Sequence, residues 1–365
     1  MRMANDRFLL IKSWGCGFWS DVDHVMGQLL AAEITNRIPV VYWGSNSLYS
    51  ESFKGNAFEL YFEPISNYTV EELDQPGFTY YPPIWNGNNL TVEDLDKIAW
   101  TYRNLGAMMS SDANVVVSDV HYFVRPIIPY IPKSHWAYGM TAHQIYRCLF
   151  DKYIRLKPDI QEEIQKFYDE NMKDSKPLLG VHIRGGDKVK EVEKLSNLNR
   201  RYHPTVREFI DRHGIRKILL LTDCEEILQD FRRRYGDMVI FTDCKRGQVY
   251  DTQNAPHLTS YSERRRKGIE VIKDTYLASM CDFFIGNGYS NVSYTVKRLR
   301  DWPEGNIVLF YRDLKHELRL AKKRLKKDRM RRKSERIHHK AEYPELYGGV
   351  NTYADESLFA DKIFG

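Results

Sequence analysis

The second half of this chain alternates short apolar runs with segments of helical periodicity, and this alternation restricts the fold more than any other feature. The apolar runs have the length of strands and lie at 178–184, 217–222, 238–242, 282–286 and 306–311. The helical segments lie at 158–172, 205–213, 225–235, 268–281 and 290–300. Parallel strands joined through helices require right-handed crossovers, so the pattern predicts a parallel, doubly wound sheet.

A smaller unit of the same kind opens the chain. Residues 7–13 form an apolar run, and the Gly-Cys-Gly sequence at 15–17 then frees the backbone for a tight turn. A helix is predicted from Ser20, as its N-cap, to Arg37, and a strand over 38–43 follows it. This order predicts a β-α-β unit.

Residues 45–110 are rich in Tyr, Asn and Pro and predict long irregular connections, followed by a strand at 114–118. The chain as a whole predicts an α/β protein with two Rossmann-like, doubly wound domains that face each other across a cleft, where ligand meets the carboxyl ends of the strands. The predicted domains are 1–150, 151–312 and a C-terminal helix and tail at 313–365.

The composition argues against secretion and against a membrane span. No run in the 365 residues approaches the roughly 20 apolar residues that cross a bilayer, and the first residues lead into a strand without an apolar signal segment. The five cysteines are scattered and form no Cys-x-x-Cys pair, so neither a disulfide framework nor a zinc site is indicated. We therefore expect a cytoplasmic protein with reduced thiols.

The net charge of +5 is unevenly distributed. Thirteen Lys and Arg residues against three acidic ones give the segment 315–340 a charge of +10, which leaves −5 for the rest of the chain. Leu314, Leu318, Ala321 and Leu325 follow one face of a helix at its start. A solvated helical tail is the commoner interpretation, and peripheral contact with an anionic membrane or another polyanion is the alternative. No nucleic-acid partner is expected.

Several polar and charged residues lie close together at the end of one predicted buried strand, in the segment 182–188 (His-Ile-Arg-Gly-Gly-Asp-Lys). Ligands bind at such strand ends in doubly wound folds. Arg184 offers a planar fork of donors, the two glycines allow backbone N–H groups to approach closely, and Lys188 adds a second positive charge. These features favour a diphosphate, and the alternative is an Arg-Asp pair that only fixes the turn.

Two later segments also place polar residues at the ends of elements. Thr222 and Asp223 end an apolar strand, where they either hydrogen-bond a ribose or base or cap the following helix. Asp274 lies in a helix that leads into the strand at 282–286, and Ser290 begins the next helix. A helix N-terminus carries free N–H groups and about half a positive charge, so both an oxyanion site and simple N-capping are open there.

Together these segments resemble the three peptide motifs of the α-1,6-fucosyltransferases, which include the rhizobial nodulation enzymes, and of the related protein O-fucosyltransferases. The sequence Gly180-Val181-His182-Ile183-Arg184, followed by Asp187-Lys188-Val189, is similar to the family's strand and diphosphate-binding turn. Asp274 and Ser290 keep the family's spacing between an acidic, base-recognising residue and a phosphate-contacting serine. The Gly-Cys-Gly turn at 15–17 is similar to the segment that opens the family's first domain.

This resemblance implies a GT-B fold, a GDP-sugar donor, usually GDP-fucose, inversion at the anomeric carbon, and neither a metal nor another cofactor. Arg184 would stabilise the charge that grows on the departing β-phosphate, His182 and Asp274 would read guanine, and Ser290 would hold phosphate. The acceptor would be a glycan or glycolipid on the N-terminal domain. The implied donor-binding residues of the chain are Gly17, His182, Arg184, Asp187, Lys188, Thr222, Asp223, Asp274 and Ser290.

Two positions depart from the family's pattern. Core-type enzymes carry a glutamate as catalytic base shortly after the Asp-Lys pair, and the matching residue here is Val192, flanked by Glu191 and Glu193. Either glutamate is a candidate base, and a mechanism without a protein base is the alternative. Gly185 stands where core-type enzymes carry a second arginine.

Other interpretations of the sequence stay open. Asp21-Val22-Asp23 matches the metal-binding Asp-x-Asp of other glycosyltransferases, but acidic residues in the first turn of a helix favour its dipole, so we expect capping. Residues 244–267 predict a lid with an arginine of the run 264–267 at phosphate, or else a solvated charge cluster. The alternative functions are transfer from another GDP- or UDP-linked sugar and non-catalytic binding of a nucleotide sugar or polyanion.

Overall fold

The structure is a computed structural model and describes residues 6–51, 55–93, 105–118, 121–186, 195–248 and 261–311, with the single positions 322, 326 and 329. These residues group into two compact units. The N-terminal unit contains the residues up to Cys16 together with Ser20–Arg155 and the three single positions, and the C-terminal unit contains Gly17–Trp19 and Leu156–Arg312. Apart from the three single positions, the basic tail lies outside the described residues.

The N-terminal unit begins with the predicted β-α-β arrangement. Strand β1 (Phe8–Lys12) is buried along its whole length, which suits an apolar strand inside a parallel sheet. Helix α1 (Phe18–Ile34) follows, and strand β2 (Ile38–Tyr42) pairs in parallel with β1. The helix is buried on all sides from Asp21 to Ala32, and its buried apolar residues include Val22, Val25, Met26, Leu29 and Leu30. Because α1 starts at Phe18, Ser20 lies in its first turn and is not the predicted N-cap.

The rest of this unit contains more regular structure than the sequence predicts. Strands β3 (Tyr80–Tyr81) and β4 (Val115–Ser118) complete a described sheet of order β2-β1-β4-β3, in which every pairing is parallel. Its further helices are α2 (Leu105–Ser110), α3 (Val124–Ile127) and α4 (Ala142–Tyr153). Helix α4 had a detectable signal, because Thr141 and Gln144 form a capping box in front of its apolar face.

The C-terminal unit contains a described five-stranded sheet of order β7-β6-β5-β8-β9, again with parallel pairings. Its strands are β5 (Leu178–Ile183), β6 (Lys217–Thr222), β7 (Val239–Ile240), β8 (Phe283–Asn287) and β9 (Ile307–Phe310). Its helices are α5 (Pro158–Asn171), α6 (Leu195–Asn199), α7 (Tyr202–His213), α8 (Glu225–Tyr235), α9 (Tyr261–Ser279) and α10 (Asn291–Arg298).

These two parallel sheets confirm the predicted α/β class. In the C-terminal unit the strands bury Val181 and Leu220 against Val206 of α7 and Phe231 of α8, so the helices cover the sheet as the alternating pattern requires. Within the described part of the chain, no helix has the length and apolar character to cross a bilayer.

Candidate functional site

The strand order of the C-terminal sheet marks where a ligand fits. From β5 the chain continues to β6 and β7 on one side of the sheet, and it later enters β8 and β9 on the other side. The connections therefore diverge between β5 and β8, and they leave a crevice beyond the carboxyl ends of these two strands. Arg184 follows β5 and Asn287 ends β8, so both residues lie at this switch point.

Arg184 is held at the switch point by an acidic residue from the neighbouring strand. Its Nη1 atom lies 3.0 Å from Oδ2 of Asp223, and the Gly185 N–H donates to Oδ1 of the same carboxylate at 2.9 Å. Burial raises the pKa of Asp223, but the Arg184 charge and the Gly185 hydrogen bond more than offset this, and the pKa lies below its ordinary value. The carboxylate is therefore ionised at neutral pH and fixes the guanidinium.

Neither Thr222 nor Asp223 caps α8, which corrects the capping alternative for this segment. Cys224 occupies the N-cap position and makes no side-chain capping bond. The Thr222 hydroxyl accepts a hydrogen bond from the Cys224 N–H at 3.3 Å, and the Asp223 carboxylate faces Arg184 and Gly185. The pairing of Arg184 with Asp223 was not expected from the sequence, because the two residues follow different strands.

Gly185 is buried, and its surroundings explain why a larger side chain is absent there. A Cβ atom at this position would lie 2.7 Å from Cδ1 of Ile227 and 2.8 Å from Sγ of Cys224. The second arginine of core-type enzymes therefore does not fit here unless the side chains of Ile227 and Cys224 are displaced.

His182 points from β5 toward α10, where it meets a serine that the sequence analysis did not single out. Nδ1 of His182 lies 2.7 Å from Oγ of Ser293, and both side chains are buried. The backbone carbonyl of His182 also accepts a hydrogen bond from the Tyr202 hydroxyl at 2.7 Å. The predicted nucleotide-reading residue is thus held by both its ring and its main chain.

Asp274 lies on α9 against the segment that follows β7. Its Oδ1 atom accepts a hydrogen bond from the Thr242 hydroxyl, and Arg246 in turn donates to the Thr242 carbonyl at 2.9 Å. Burial raises the pKa of Asp274 to about 6, although the Thr242 hydrogen bond and the Arg246 charge act in the opposite direction. Thr242 and Arg246 were missed because β7 is only two residues long.

Ser290 occupies the N-cap position of α10 but does not cap the helix with its side chain. Its carbonyl accepts the first helical hydrogen bond from Tyr294, whereas its hydroxyl makes no capping bond. The N-terminal N–H groups of a helix and its dipole attract an anion. Asn287 lies beside it, completely buried, and its Nδ2 atom has no hydrogen-bond partner among the described residues. The structure therefore does not support simple side-chain capping at Ser290.

Five further site residues were predicted from the sequence. Asp187, Lys188, Glu191 and Glu193 lie in 187–194, outside the described residues, so their roles stay predictions. Gly17 is exposed and lies immediately before α1.

The predicted lid corresponds in part to the first turns of α9. Residues 249–260 lie outside the described ranges. Arg265 contacts Asp159 at 2.7 Å, and Arg266 makes two hydrogen bonds of 2.9 Å to Glu163, both acidic residues being on α5. These two arginines therefore join α9 to α5, and the expectation that an arginine of the run 264–267 reaches a phosphate stays a prediction.

The Asp-x-Asp sequence lies in the first turns of α1, but the hydrogen bond of Asp21 goes to the turn before the helix and not to a helical N–H group, so capping stays a prediction. Oδ1 of Asp21 accepts a hydrogen bond from the Cys16 N–H at 3.3 Å, so this side chain reaches back to the glycine-containing turn. Burial raises the pKa of Asp21 to about 7 despite the backbone hydrogen bonds that it accepts.

Comparison with known proteins identifies similar sequences and folds. Residues 140–297 match the family described as Alpha-(1,6)-fucosyltransferase N- and catalytic domains. Among solved structures, NodZ α-1,6-fucosyltransferase soaked with GDP-fucose is 19% identical with a TM-score of 0.54, over 85% of this chain and 96% of that chain. The fucosyltransferase NodZ from Bradyrhizobium gives a TM-score of 0.53 at 19% identity, with the same shares of each chain covered.

A third similar structure is a variant of Arabidopsis thaliana FUT1 in complex with GDP. It is 12% identical with a TM-score of 0.52, over 86% of this chain and 72% of that chain. No curated protein matches the chain in sequence. At these identities the likeness to solved structures shows the fold, which is the GT-B fold.

Proposed function

We propose that this chain, as a glycosyltransferase of the fucosyltransferase superfamily, transfers fucose from GDP-fucose to a hydroxyl group of a glycan or glycolipid. The observation that carries the proposal is the ion pair of Arg184 and Asp223 at the switch point between β5 and β8. A guanidinium fixed at this edge of the sheet suits a diphosphate, because its planar donors match phosphate oxygens.

The proposed reaction is a single displacement. The acceptor oxygen forms a bond to C1 of fucose while the bond between C1 and the β-phosphate oxygen breaks, and GDP departs with the electron pair of that bond. Attack from the face opposite GDP inverts the configuration at C1. The proton of the acceptor hydroxyl passes to a base.

Arg184 supplies the main stabilisation of the departing diphosphate. As the bond to C1 breaks, negative charge grows on the β-phosphate oxygen, and a fixed cation in a partly buried site stabilises that charge without reorganisation. Its side chain is 25% exposed, against 9% for Asp223, so the guanidinium reaches the crevice while its partner stays covered. Ser290 and the N-terminus of α10 are proposed to hold a second phosphate oxygen.

His182 and Asp274 are proposed to bind the guanine base, as the resemblance implies. The Asp274 carboxylate is an acceptor for the N–H groups of guanine when it is ionised. Its hydrogen bond from Thr242 leaves the second carboxylate oxygen for such a contact. Glu191 and Glu193 stay the candidates for the catalytic base.

We also propose that the reaction needs no divalent ion, because the Arg184 guanidinium provides positive charge at the place where the leaving group develops negative charge. Donor turnover in the presence of excess EDTA tests this directly. Turnover that stops with EDTA and returns with added Mg²⁺ or Mn²⁺ would contradict the metal-independent mechanism.

The cytoplasmic location also stays a prediction.

A thermal-shift panel of GDP, UDP, GDP-fucose, GDP-mannose and UDP-glucose tests the choice of donor. A ligand at about 100 times its dissociation constant adds roughly 2.7 kcal/mol to the free energy of unfolding. We expect a shift with GDP and GDP-fucose, and a smaller one with UDP. An increase in Tm with UDP but not with GDP would refute the proposed donor.

Single-residue variants test the role of Arg184 itself. We expect Arg184→Ala to lower kcat for donor hydrolysis or transfer by about 100-fold or more, and Arg184→Lys to restore only part of it, because a lysine lacks the planar fork. The control is Arg212→Ala, which removes an exposed arginine paired within α7. Turnover of Arg184→Ala within tenfold of the wild type would refute the assignment.

A further inference from the structure

Ser293 makes two hydrogen bonds that together determine the direction of its hydroxyl hydrogen. The residue lies in the first turn of α10 and is completely buried. Its Oγ atom accepts from the Asn287 N–H at 3.0 Å and lies 2.7 Å from Nδ1 of His182. Since a backbone N–H only donates, the contact with Asn287 uses an oxygen lone pair and leaves the hydroxyl hydrogen for His182.

This arrangement selects one form of the imidazole. Among the contacts of the described residues, the hydroxyl of Ser293 has His182 as its acceptor. A ring nitrogen that accepts a hydrogen bond carries no proton, so the neutral His182 ring has its proton on Nε2. The opposite tautomer would give Nδ1 a hydrogen and leave the hydroxyl hydrogen of a buried serine without an acceptor, which costs free energy.

The backbone near Ser293 leaves space for its side chain. A Cβ atom at Gly286, the residue before Asn287, would lie 2.5 Å from Oγ of Ser293, so a glycine at the end of β8 leaves the serine room. On the other side, the Tyr202 hydroxyl holds the carbonyl of His182 at 2.7 Å. Strand β5, the end of β8, α7 and α10 therefore converge on one imidazole.

We infer that Ser293 is a positioning residue for donor binding, which holds the His182 ring in one orientation and in the tautomer that presents an N–H at Nε2. The inference rests on the proposed role of His182 toward the nucleotide. It adds a chemical requirement, because His182 then recognises a hydrogen-bond acceptor of the nucleotide and not a donor. Ser293 itself does not touch the substrate in this scheme.

The tautomer is measurable without any ligand. In protein labelled with ¹⁵N-histidine, two-bond ¹H–¹⁵N correlation spectra distinguish protonated from unprotonated ring nitrogens, and the spectrum of His182→Gln assigns the signals among the 11 histidines. We expect wild-type His182 to show an unprotonated Nδ1, and Ser293→Ala to show a mixture of tautomers. The matched control is Thr295→Val, a buried position of the same helix, which should leave the signals unchanged. A protonated Nδ1 in neutral wild-type His182, or an unaltered ring in Ser293→Ala, overturns the inference.

GDP affinity provides the second readout, by isothermal titration calorimetry. We expect Ser293→Ala to weaken GDP binding about five- to tenfold, and Ser293→Thr, which keeps the hydroxyl, to recover most of the loss. Ser293→Cys serves if the alanine variant does not fold, because a thiol is a weaker donor of similar shape. GDP binding by Ser293→Ala and Ser293→Cys within twofold of wild type contradicts the positioning role. Failure of the wild type to bind GDP, with the Nε2–H tautomer present, refutes the proposed donor and leaves the structural relationship between Ser293 and His182 intact.

Discussion

Arg184 and Asp223 form an ion pair of 3.0 Å across the ends of two neighbouring strands, and Asp223 also accepts the N–H of Gly185, the residue next to Arg184. One carboxylate thus holds both the cation proposed to bind the diphosphate and the turn that carries it. The side chain of Asp223 is only 9% exposed, so solvent does little to replace either contact.

Substitution of Asp223 should separate positioning from charge. We expect Asp223→Asn to lower kcat/KM for the donor by about 10- to 100-fold, because Arg184 loses its fixed orientation. The pKa of Asp223 is lowered in the folded state, so its stabilising contribution is present above the unfolded pKa of 3.8 and is lost as the pH falls through the folded value. Urea unfolding of both proteins should show a difference at pH 7 that shrinks toward pH 3. The exposed Asp211→Asn is the control, and equal stability of Asp223→Asn and wild type at pH 7 would contradict the argument.

Asp274 should lower the stability of the folded protein at neutral pH and at the same time strengthen GDP binding. Its pKa is raised to about 6, chiefly by burial, so between the unfolded value of 3.8 and about 6 the folded state binds the proton more tightly. Stability contributed by this group is therefore full below pH 3.8 and is lost as the pH rises to about 6. Asp274→Asn should raise Tm by about 2 °C at pH 7.5 and change it little at pH 4.

The same substitution should weaken GDP binding, since an amide replaces the proposed acceptor for the guanine N–H groups. Wild-type affinity should also fall below pH 6 as the carboxyl group takes up a proton, while the affinity of Asp274→Asn should vary less over this range. Calorimetric titrations from pH 5 to pH 8 measure both. A wild-type profile that is flat from pH 5 to 8 would argue against guanine recognition by Asp274.

Glu163 joins α5 to α9 and should contribute to stability. It accepts two hydrogen bonds from Arg266 and one of 2.9 Å from Lys273. Burial raises the pKa of Glu163, but these two cations lower it by a larger amount, so the pKa lies below its ordinary value. The stabilisation is therefore present at neutral pH and is lost as the pH falls. Glu163→Gln should lose about 1 kcal/mol in the free energy of unfolding at pH 7, because the group is partly solvated.

The neighbouring exposed Glu162→Gln provides the control for this substitution. It should change the free energy of unfolding by less than about 0.5 kcal/mol. If 1 M NaCl does not reduce the difference between wild type and Glu163→Gln, the ionic origin of the effect is disproved.

Gly185 should resist substitution for a steric reason. Gly185→Ala should cost about 1–3 kcal/mol in the free energy of unfolding, because the new methyl group meets Ile227 and Cys224 at under 3 Å. Ile227→Val removes the Cδ1 atom on one side, so the double variant should lose less stability than the two single changes together. Strict additivity in this double-mutant cycle would show that the contact with Ile227 is not the cause.

The sequence predicted the architecture of the C-terminal unit because local patterns determine it. The strand over 217–222 and the helix over 225–235 were predicted with the boundaries that the structure shows, since apolar periodicity reports burial directly. Boundaries that depend on neighbouring segments were less accurate. Helix α9 begins at Tyr261 and not at 268, because its charged first turns are stabilised by acidic residues of α5 rather than by an apolar face.

The candidate site shows the same division between local and distant information. Arg184 and Ser290 were recognised because strand ends and helix starts are visible in the sequence. Ser293 and Thr242 were not, because each contacts a residue far away in the chain, and Arg246 enters the site only through its hydrogen bond to Thr242. The capping interpretation of Asp223 was likewise open until the structure placed Cys224 at the N-cap and Asp223 against Arg184.

By itself, the sequence determined the parallel α/β class, the polar turn after β5 that is proposed to bind phosphate and the resemblance to the fucosyltransferase superfamily, because these properties reside in contiguous residues with characteristic periodicity and spacing. Only the tertiary structure decided that Asp223 holds Arg184, that Ser293 holds His182 and that the arginines of α9 bind α5. Side-chain pairing depends on strand order and helix packing, which bring together residues whose separation along the chain carries no signal of their contact.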